Sequence, residues 1–378
     1  MSNEDPLLLP PGARLLHIGP HKTGSTAIQV SLHEARDALA AHGVHYAGKK
    51  VRPRKAVWSI GVRVRPAGTP RPSEKNWRRL VDEVAAAGDQ RVCISNEDFG
   101  RATPKQIRRI VGELTGDDAH VVAVARRLDR YLPSQWQERV KAGDSRSYDE
   151  WLRVVLEPQV GDYSWDRRDP EYSWDRTNVW YAHDTEALVR RWTDVIGPDR
   201  FTLIVSDDRD RQLLPTTFER MLGLPAGTLQ LFPDRSNRSL TWAEVELVRA
   251  VNELLTARGV PRPQLQSIVS RGIVRALQER PGEQSGPRTP PLPDWAAEIV
   301  RERSAARLAV IRDLGAHIVG DPDSLMVTDE GSEGDLADPP RVSAATAAAA
   351  LAGALDRVGG PGSQDRDVPD ADATPEEE

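Results

Sequence analysis

The sequence predicts an α/β fold, with a central, mostly parallel sheet flanked by helices and a largely helical C-terminal part. Three observations carry this expectation. Short apolar or β-branched runs recur at 15–18, 91–95, 120–125 and 201–205, each the length of a strand buried on both faces. Segments of helical periodicity fill the intervals, and that alternation builds parallel sheets covered by helices. The first run ends at Gly19-Pro20, after which Thr26 begins a segment with Ile28, Leu32, Ala35 and Leu39 at helical spacing, so the chain reads strand, loop, helix.

Such a joint binds anions. Backbone N–H groups of the loop and of the first helical turn point into one pocket, the helix dipole favours negative charge there, and Lys22 adds a full positive charge. The hydroxyls of Thr23, Ser25 and Thr26 are further donors. A nucleotide-triphosphate loop of the form Gly-x-x-x-x-Gly-Lys-Ser/Thr has its lysine after the second glycine, whereas here Lys22 precedes Gly24. This inverted order, Pro20-His21-Lys22-Thr23-Gly24-Ser25-Thr26, resembles the 5′-phosphosulfate loop of the sulfotransferase family. The resemblance implies the sulfate donor 3′-phosphoadenosine 5′-phosphosulfate (PAPS) as co-substrate, held by Lys22, Thr23, Gly24, Ser25 and Thr26.

The 378 residues suffice for one large or two ordinary domains. The net charge of −6 is concentrated in the last segment, 359–378, where seven acids stand against Arg366 and the remainder balances to zero. A neutral folded part gives no reason to expect nucleic acid or an anionic membrane as partner. The single cysteine, Cys93, lies in an apolar run and is expected to be a small buried hydrophobe in a reducing compartment. The acidic N-terminus does not read as a signal peptide, and no apolar stretch is long enough to span a bilayer. A cytoplasmic protein is therefore expected. Arginine outnumbers lysine and alanine is abundant, a composition of GC-rich genomes.

The elements follow in order. A helix from Thr26 to Gly43 precedes a short strand at 44–47, and the segment 49–79 is crowded with Lys, Arg, Pro and Gly, with Glu74 its only acid. It reads as a long loop with a helix starting near Ser73, either a basic lid over an anionic ligand or a solvated excursion. After the strand at 91–95 comes Asn96-Glu97-Asp98, at the carboxyl end where ligands of open α/β sheets sit. Glu97 is placed there either as a general base or as a first-turn acid of a helix capped by Ser95 or Asn96. A serine, one residue and a glutamate after this strand also resembles the position of the catalytic carboxylate in several sulfotransferase branches.

A helix over 104–114 leads to the strand at 120–125, followed by Arg126, Arg127 and Ser134. An arginine at a strand end with a serine eight positions on resembles the family's 3′-phosphate site. The guanidinium fork and the hydroxyl suit one phosphate. Arg126-Arg127-Leu128 departs from the family's usual residues here, so either arginine can fill the role. A helix is expected over 148–156, and Tyr163-Ser164-Trp165-Asp166-Arg167 then recurs nine residues on as Tyr172-Ser173-Trp174-Asp175-Arg176. Trp165, Tyr172 and Trp174 are candidates to stack on a sugar or aromatic acceptor, or to pin a loop to the surface.

An amphipathic helix spans 185–196 and is closed by Gly197-Pro198, with another at 213–222 after the strand at 201–205. Thr241 and Glu244 form a capping box for a further helix. Before it stand Arg235 and Arg238, in a stretch similar to the basic loop that closes over the donor's 3′-phosphate end in the family, and either can fill that role. Helices to about 314 and a strand at 316–319 complete the region.

By this reading residues 1–12 are a flexible N-terminus, 13–325 the α/β domain, 326–342 an acidic linker, 343–358 an Ala-rich helix, and 359–378 a disordered acidic tail. The resemblance covers 13–325. It implies a P-loop-like three-layer fold and a bacterial-type, PAPS-dependent sulfotransferase acting on a hydroxyl or amine of a carbohydrate or other small acceptor, without a metal. Lys22 would neutralise the leaving oxygen, and Glu97, or else His21, would take the acceptor's proton. The alternatives are a P-loop-type kinase, for which the lysine order and a strand-end aspartate for Mg²⁺ are not evident, and a non-catalytic nucleotide-binding protein.

Overall fold

The computed structural model describes residues 5–62, 70–156, 173–232, 238–280, 286–327 and 341–358. β1 (Arg14–His17) is followed by α1 (Ser25–Glu34) and α2 (Arg36–Ala41), where the sequence suggests one helix. The break falls at Ala35, and Gly43 in the left-handed region (φ 69°) ends the pair. β2 (Val44–Tyr46) leads into the basic segment, which carries the short α3 (Arg54–Ser59) ahead of α4 (Lys75–Ala86). β3 (Arg91–Ser95) is followed by a 3-10 turn at Glu97–Arg101 and by α5 (Pro104–Ile110), which Thr103 and Gln106 cap reciprocally and which runs on as a π turn to Thr115.

β4 (Ala119–Ala125) leads to α6 (Leu128–Lys141) and α7 (Tyr148–Leu156). Next come α8 (Trp174–His183) and α9 (Thr185–Ile196), then β5 (Phe201–Val205) and α10 (Leu213–Leu222). The chain continues through α11 (Trp242–Ala257), α12 (Arg262–Ile268), α13 (Arg275–Gln278) and α14 (Asp294–Asp313), then β6 (His317–Val319) and α15 (Ala344–Val358). Among the described residues no helix is long and apolar enough to cross a membrane.

The strands form one sheet in the order β2-β3-β1-β4-β5-β6, every pair parallel. β1 stands between β3 and β4, where the chain passes from one side of the sheet to the other, and ligands of open α/β sheets bind at such a switch point. The two-residue repeat of the strands divides their side chains between two cores. Leu16, Ile18, Ile94, Val121, Ala123 and Leu203 pack with Trp77, Leu80, Ile107, Leu188 and Trp192, from α4, α5 and α9. Leu15, Cys93, Val122, Val124 and Ile204 pack with Ile28, Leu32, Phe218 and Met221, from α1 and α10. The fold class is therefore the one expected, a helix–sheet–helix sandwich. Cys93 is buried in the second core, where burial pushes its thiol up. Leu7 and Leu9 are buried there too, and Asp5 pairs with Arg220. Leu7 and Leu9 are thus anchored, within the stretch 1–12 that the sequence suggested as a flexible start.

The chain divides into two compact units. The first takes residues 1–127, 162–236 and 302–326, with the whole sheet, and the second takes 128–161, 237–301 and 327–378. The second unit is helical. Trp136, Tyr148 and Trp151 form an aromatic group at its centre, with ring centroids 5.3 and 6.5 Å apart. Its α15, the Ala-rich helix expected at 343–358, packs on the π turn Val269–Val274 at Gly272 and Gly353, where a side chain on either would overlap the other's backbone. Most of the expected linker (328–340) and all of the expected tail (359–378) lie outside the described residues.

Candidate active site

The loop after β1 is fixed by its neighbours. Ile18 N–H donates to the Val122 carbonyl (3.0 Å), and the Gly19 carbonyl accepts from Val124 N–H (2.7 Å). Gly19 has φ 80°, and a Cβ there would stand 2.6 Å from Glu97 Cβ, so only glycine lets the loop lie against Glu97. Lys22 (φ 66°) and Gly24 (φ 95°) then turn the backbone twice through the left-handed region. Among the described residues Lys22 is the one non-glycine with positive φ, a strain of about 1–2 kcal/mol that its place in the loop maintains. Thr23 and Ser25 donate their hydroxyls to the Pro20 carbonyl (2.7 and 3.2 Å), so in this structure they brace the loop, while Thr26 is exposed. Gly24 caps α1 without a side-chain bond, and the first turn holds no acid, which keeps the positive end of the helix dipole available to an anion.

β3 delivers two carboxylates to this loop. Asn96 caps the following 3-10 turn, its Oδ1 accepting from Asp98 N–H (2.9 Å), and Glu97 and Asp98 form the first turn. The cap is therefore Asn96, and capping leaves Glu97 facing the loop. Buried to 5% exposure, Glu97 accepts a hydrogen bond from Gln29 Nε2 of α1 (2.8 Å) and pairs with Arg52. His21 lies between the acids, with Nδ1 3.6 Å from Glu97 and Nε2 2.9 Å from Asp98 Oδ1. Trp58 Nε1 and Arg101 also donate to Asp98, at 2.8 and 3.3 Å. The basic segment thus sends Arg52 and Trp58 onto the two acids, one charge and one aromatic ring out of a run that reads in sequence only as positive.

Behind His21 stands His183, the last residue of α8, whose ring is hydrogen-bonded to the His21 backbone. Burial, reinforced by the positive charges of Arg307 and Arg101, holds it well below the ordinary histidine range. Arg307 of α14 donates to Thr185 Oγ1 (2.6 Å) and to the carbonyl of Arg126 (2.7 Å). Burial lowers its pKa to about 10, so it keeps its charge. Arg126, the residue after β4, donates from one guanidinium nitrogen to the Lys22 carbonyl (3.1 Å) and from another to both oxygens of Asp208, at 2.9 and 3.1 Å. In the first unit, therefore, Lys22, Arg126, His21 and Glu97 surround the carboxyl ends of β1, β3 and β4.

A solved structure resembles this chain. It is the crystal structure of a sulfotransferase from Alicyclobacillus acidocaldarius, with TM-score 0.42 and 19% identity, the match covering 71% of this chain and 99% of that one. No protein-family model and no curated protein matches.

The remaining candidates fall elsewhere. Ser134 lies on α6 and Arg238 before α11, both in the second unit. Arg238 is engaged by Glu244, at 2.8 and 2.9 Å, inside the capping box that Thr241 and Glu244 form as expected. Burial pushes the Glu244 carboxyl up, but bonds from Arg238 and Thr241 outweigh it and hold the carboxyl below its ordinary range. Trp174 is the half-buried first residue of α8, while Trp165, Tyr172 and Arg235 lie outside the described residues. In the sequence Asp98 reads only as the acid beside Glu97, and Arg52 and Trp58 only as members of the basic segment. His183 and Arg307 carry no signal there, because packing brings them in from 86 and 210 residues after Glu97.

Proposed function

We propose that the protein is a sulfotransferase that moves a sulfuryl group from 3′-phosphoadenosine 5′-phosphosulfate to a hydroxyl or amine of a small acceptor. The observation that carries this reading is the placing of Glu97 against the loop of His21 and Lys22, at the switch point of the sheet. The loop and the N-terminus of α1 form a cationic cradle without an acid in its first turn, suited to the sulfate-bearing end of the donor. Arg126 is the candidate ligand of the 3′-phosphate, with Arg127 next to it. The acceptor oxygen or nitrogen forms a bond to sulfur as the bond from sulfur to the phosphate oxygen breaks. Its proton passes to Glu97, while Lys22 stabilises the charge growing on the leaving oxygen. Gln29 and Arg52 hold the Glu97 carboxylate in place, and Asp98, by accepting from His21 Nε2, turns Nδ1 towards Glu97. Trp174 is a candidate for stacking on the acceptor.

The test is calorimetric titration with 3′-phosphoadenosine 5′-phosphate, beside adenosine 5′-phosphate and ATP·Mg²⁺, on the wild type, Lys22→Ala and Arg126→Ala. Binding that needs the 3′-phosphate and drops at least tenfold in both variants supports the reading. Binding of ATP·Mg²⁺ instead would sink it in favour of a kinase, and nucleotide binding without transfer to any of a broad set of hydroxyl and amine acceptors would leave a binding protein.

A further inference from the structure

We infer that Asp208 competes with the donor's 3′-phosphate for Arg126 and so sets how tightly the spent nucleotide is held, an inference that rests on the assignment of Arg126 proposed above. β4 and β5 are parallel neighbours with Ala125 opposite Val205, so the residues after these strands leave the sheet side by side. Arg126 and Arg127 follow one, Asp207 and Asp208 the other. The Asp208 carboxylate accepts from a single Arg126 guanidinium nitrogen with both oxygens, at 2.9 and 3.1 Å, and so occupies a donor that a phosphate would use. Asp207 is held below its ordinary range chiefly by hydrogen bonds from Arg209, with the charge of Arg127 contributing. Asp208 is therefore the acid that faces Arg126.

The rest of Arg126 stays in place when its acid partner changes. Its carbonyl is held by Arg307 and its other nitrogen by the Lys22 carbonyl, at 2.7 and 3.1 Å. The Asp208 side chain is 49% exposed and that of Arg126 25%, so the pair is a weak one. A phosphate dianion, with more charge and a third oxygen, displaces such a carboxylate, which recaptures the arginine as the nucleotide departs. Because the spent nucleotide keeps its 3′-phosphate, Asp208 eases a release step of the kind that often limits turnover.

Affinity and dissociation rate are to be measured for 3′-phosphoadenosine 5′-phosphate and adenosine 5′-phosphate, on wild type, Asp208→Asn, Asp208→Ala and Arg126→Ala, with thermal unfolding of each. Both Asp208 variants are expected to hold the 3′-phosphorylated nucleotide about two- to fivefold tighter, the range an exposed ion pair is worth. They release it more slowly and bind adenosine 5′-phosphate as the wild type does. Unchanged or weaker binding of the 3′-phosphorylated nucleotide, equal tightening for both nucleotides, or loss of folding in both Asp208 variants overturns the inference and leaves the functional reading standing. Wild-type protein that binds neither nucleotide overturns both. Binding that Arg126→Ala leaves intact removes the Arg126 assignment and this inference with it.

Discussion

Lys22 combines two properties that are separable by mutation, its charge and its left-handed backbone. Glycine adopts φ 66° without strain, so Lys22→Gly is expected to unfold within about 1 kcal/mol of the wild type, relief of strain offsetting the entropy that glycine loses. Its affinity for 3′-phosphoadenosine 5′-phosphate should still fall at least roughly tenfold, through loss of one charge-assisted contact. Equal affinity in Lys22→Gly and wild type would remove the lysine from the donor site. The two candidate bases are separated by Glu97→Gln and His21→Gln. Glu97→Gln should lower kcat by about 10²-fold or more with nucleotide affinity unchanged, and His21→Gln should cost less. The reverse order in single-turnover rates would make His21 the base, oriented by Asp98. Lys22 and Glu97 were legible in sequence because each stands in the turn that follows a recognisable strand. Asp98's partners Trp58 and His21 were not, since they reach it from 40 and 77 positions away.

The β1 loop and the turn after β3 act as one element. Their contact depends on Gly19, where a Cβ meets Glu97 Cβ at 2.6 Å and its Cα at 2.8 Å. Gly19→Ala combines a left-handed penalty with overpacking and is expected to cost about 2–4 kcal/mol, read as a lowered denaturation midpoint, and to abolish transfer. A folded, active Gly19→Ala protein would mean that the loop and Glu97 move independently. The elements themselves were largely visible in advance. Helices at 148–156, 185–196 and 213–222 and the strand at 201–205 lie where periodicity put them, because one apolar face and a clear stop define each. The break at Ala35, the short α3 and the π turns after α5 and α12 were not visible. Local propensity is nearly flat there, and packing decides.

Across the whole molecule, burial of neutral histidines makes stability depend on pH. Burial lowers His17 to about 3 and His120 to about 4, from an ordinary 6.5, and holds His183 well below its usual range. Below pH 6.5 the unfolded chain takes up protons that the native state refuses, so stability is full above that value and falls as pH drops towards the folded values. His17 and His120 are each expected to remove about 2 kcal/mol by pH 5. Denaturant midpoints at pH 7.5 and 5 would show it, and His17→Asn should reduce the difference, whereas equal midpoints would mean these rings are hydrated. The sequence by itself determined the α/β class, the glycine-rich loop after β1 and the acid after β3, because strand runs, turn residues and the order of lysine and glycine are local properties. Only the tertiary structure decided the rest. The strand order that sets Gly19 against Glu97, the division of the chain into two units, the pairing of Arg126 with Asp208 and the burial of His183 beside His21 all join distant residues, and side-chain packing across the sheet fixes such neighbours where periodicity along the chain does not.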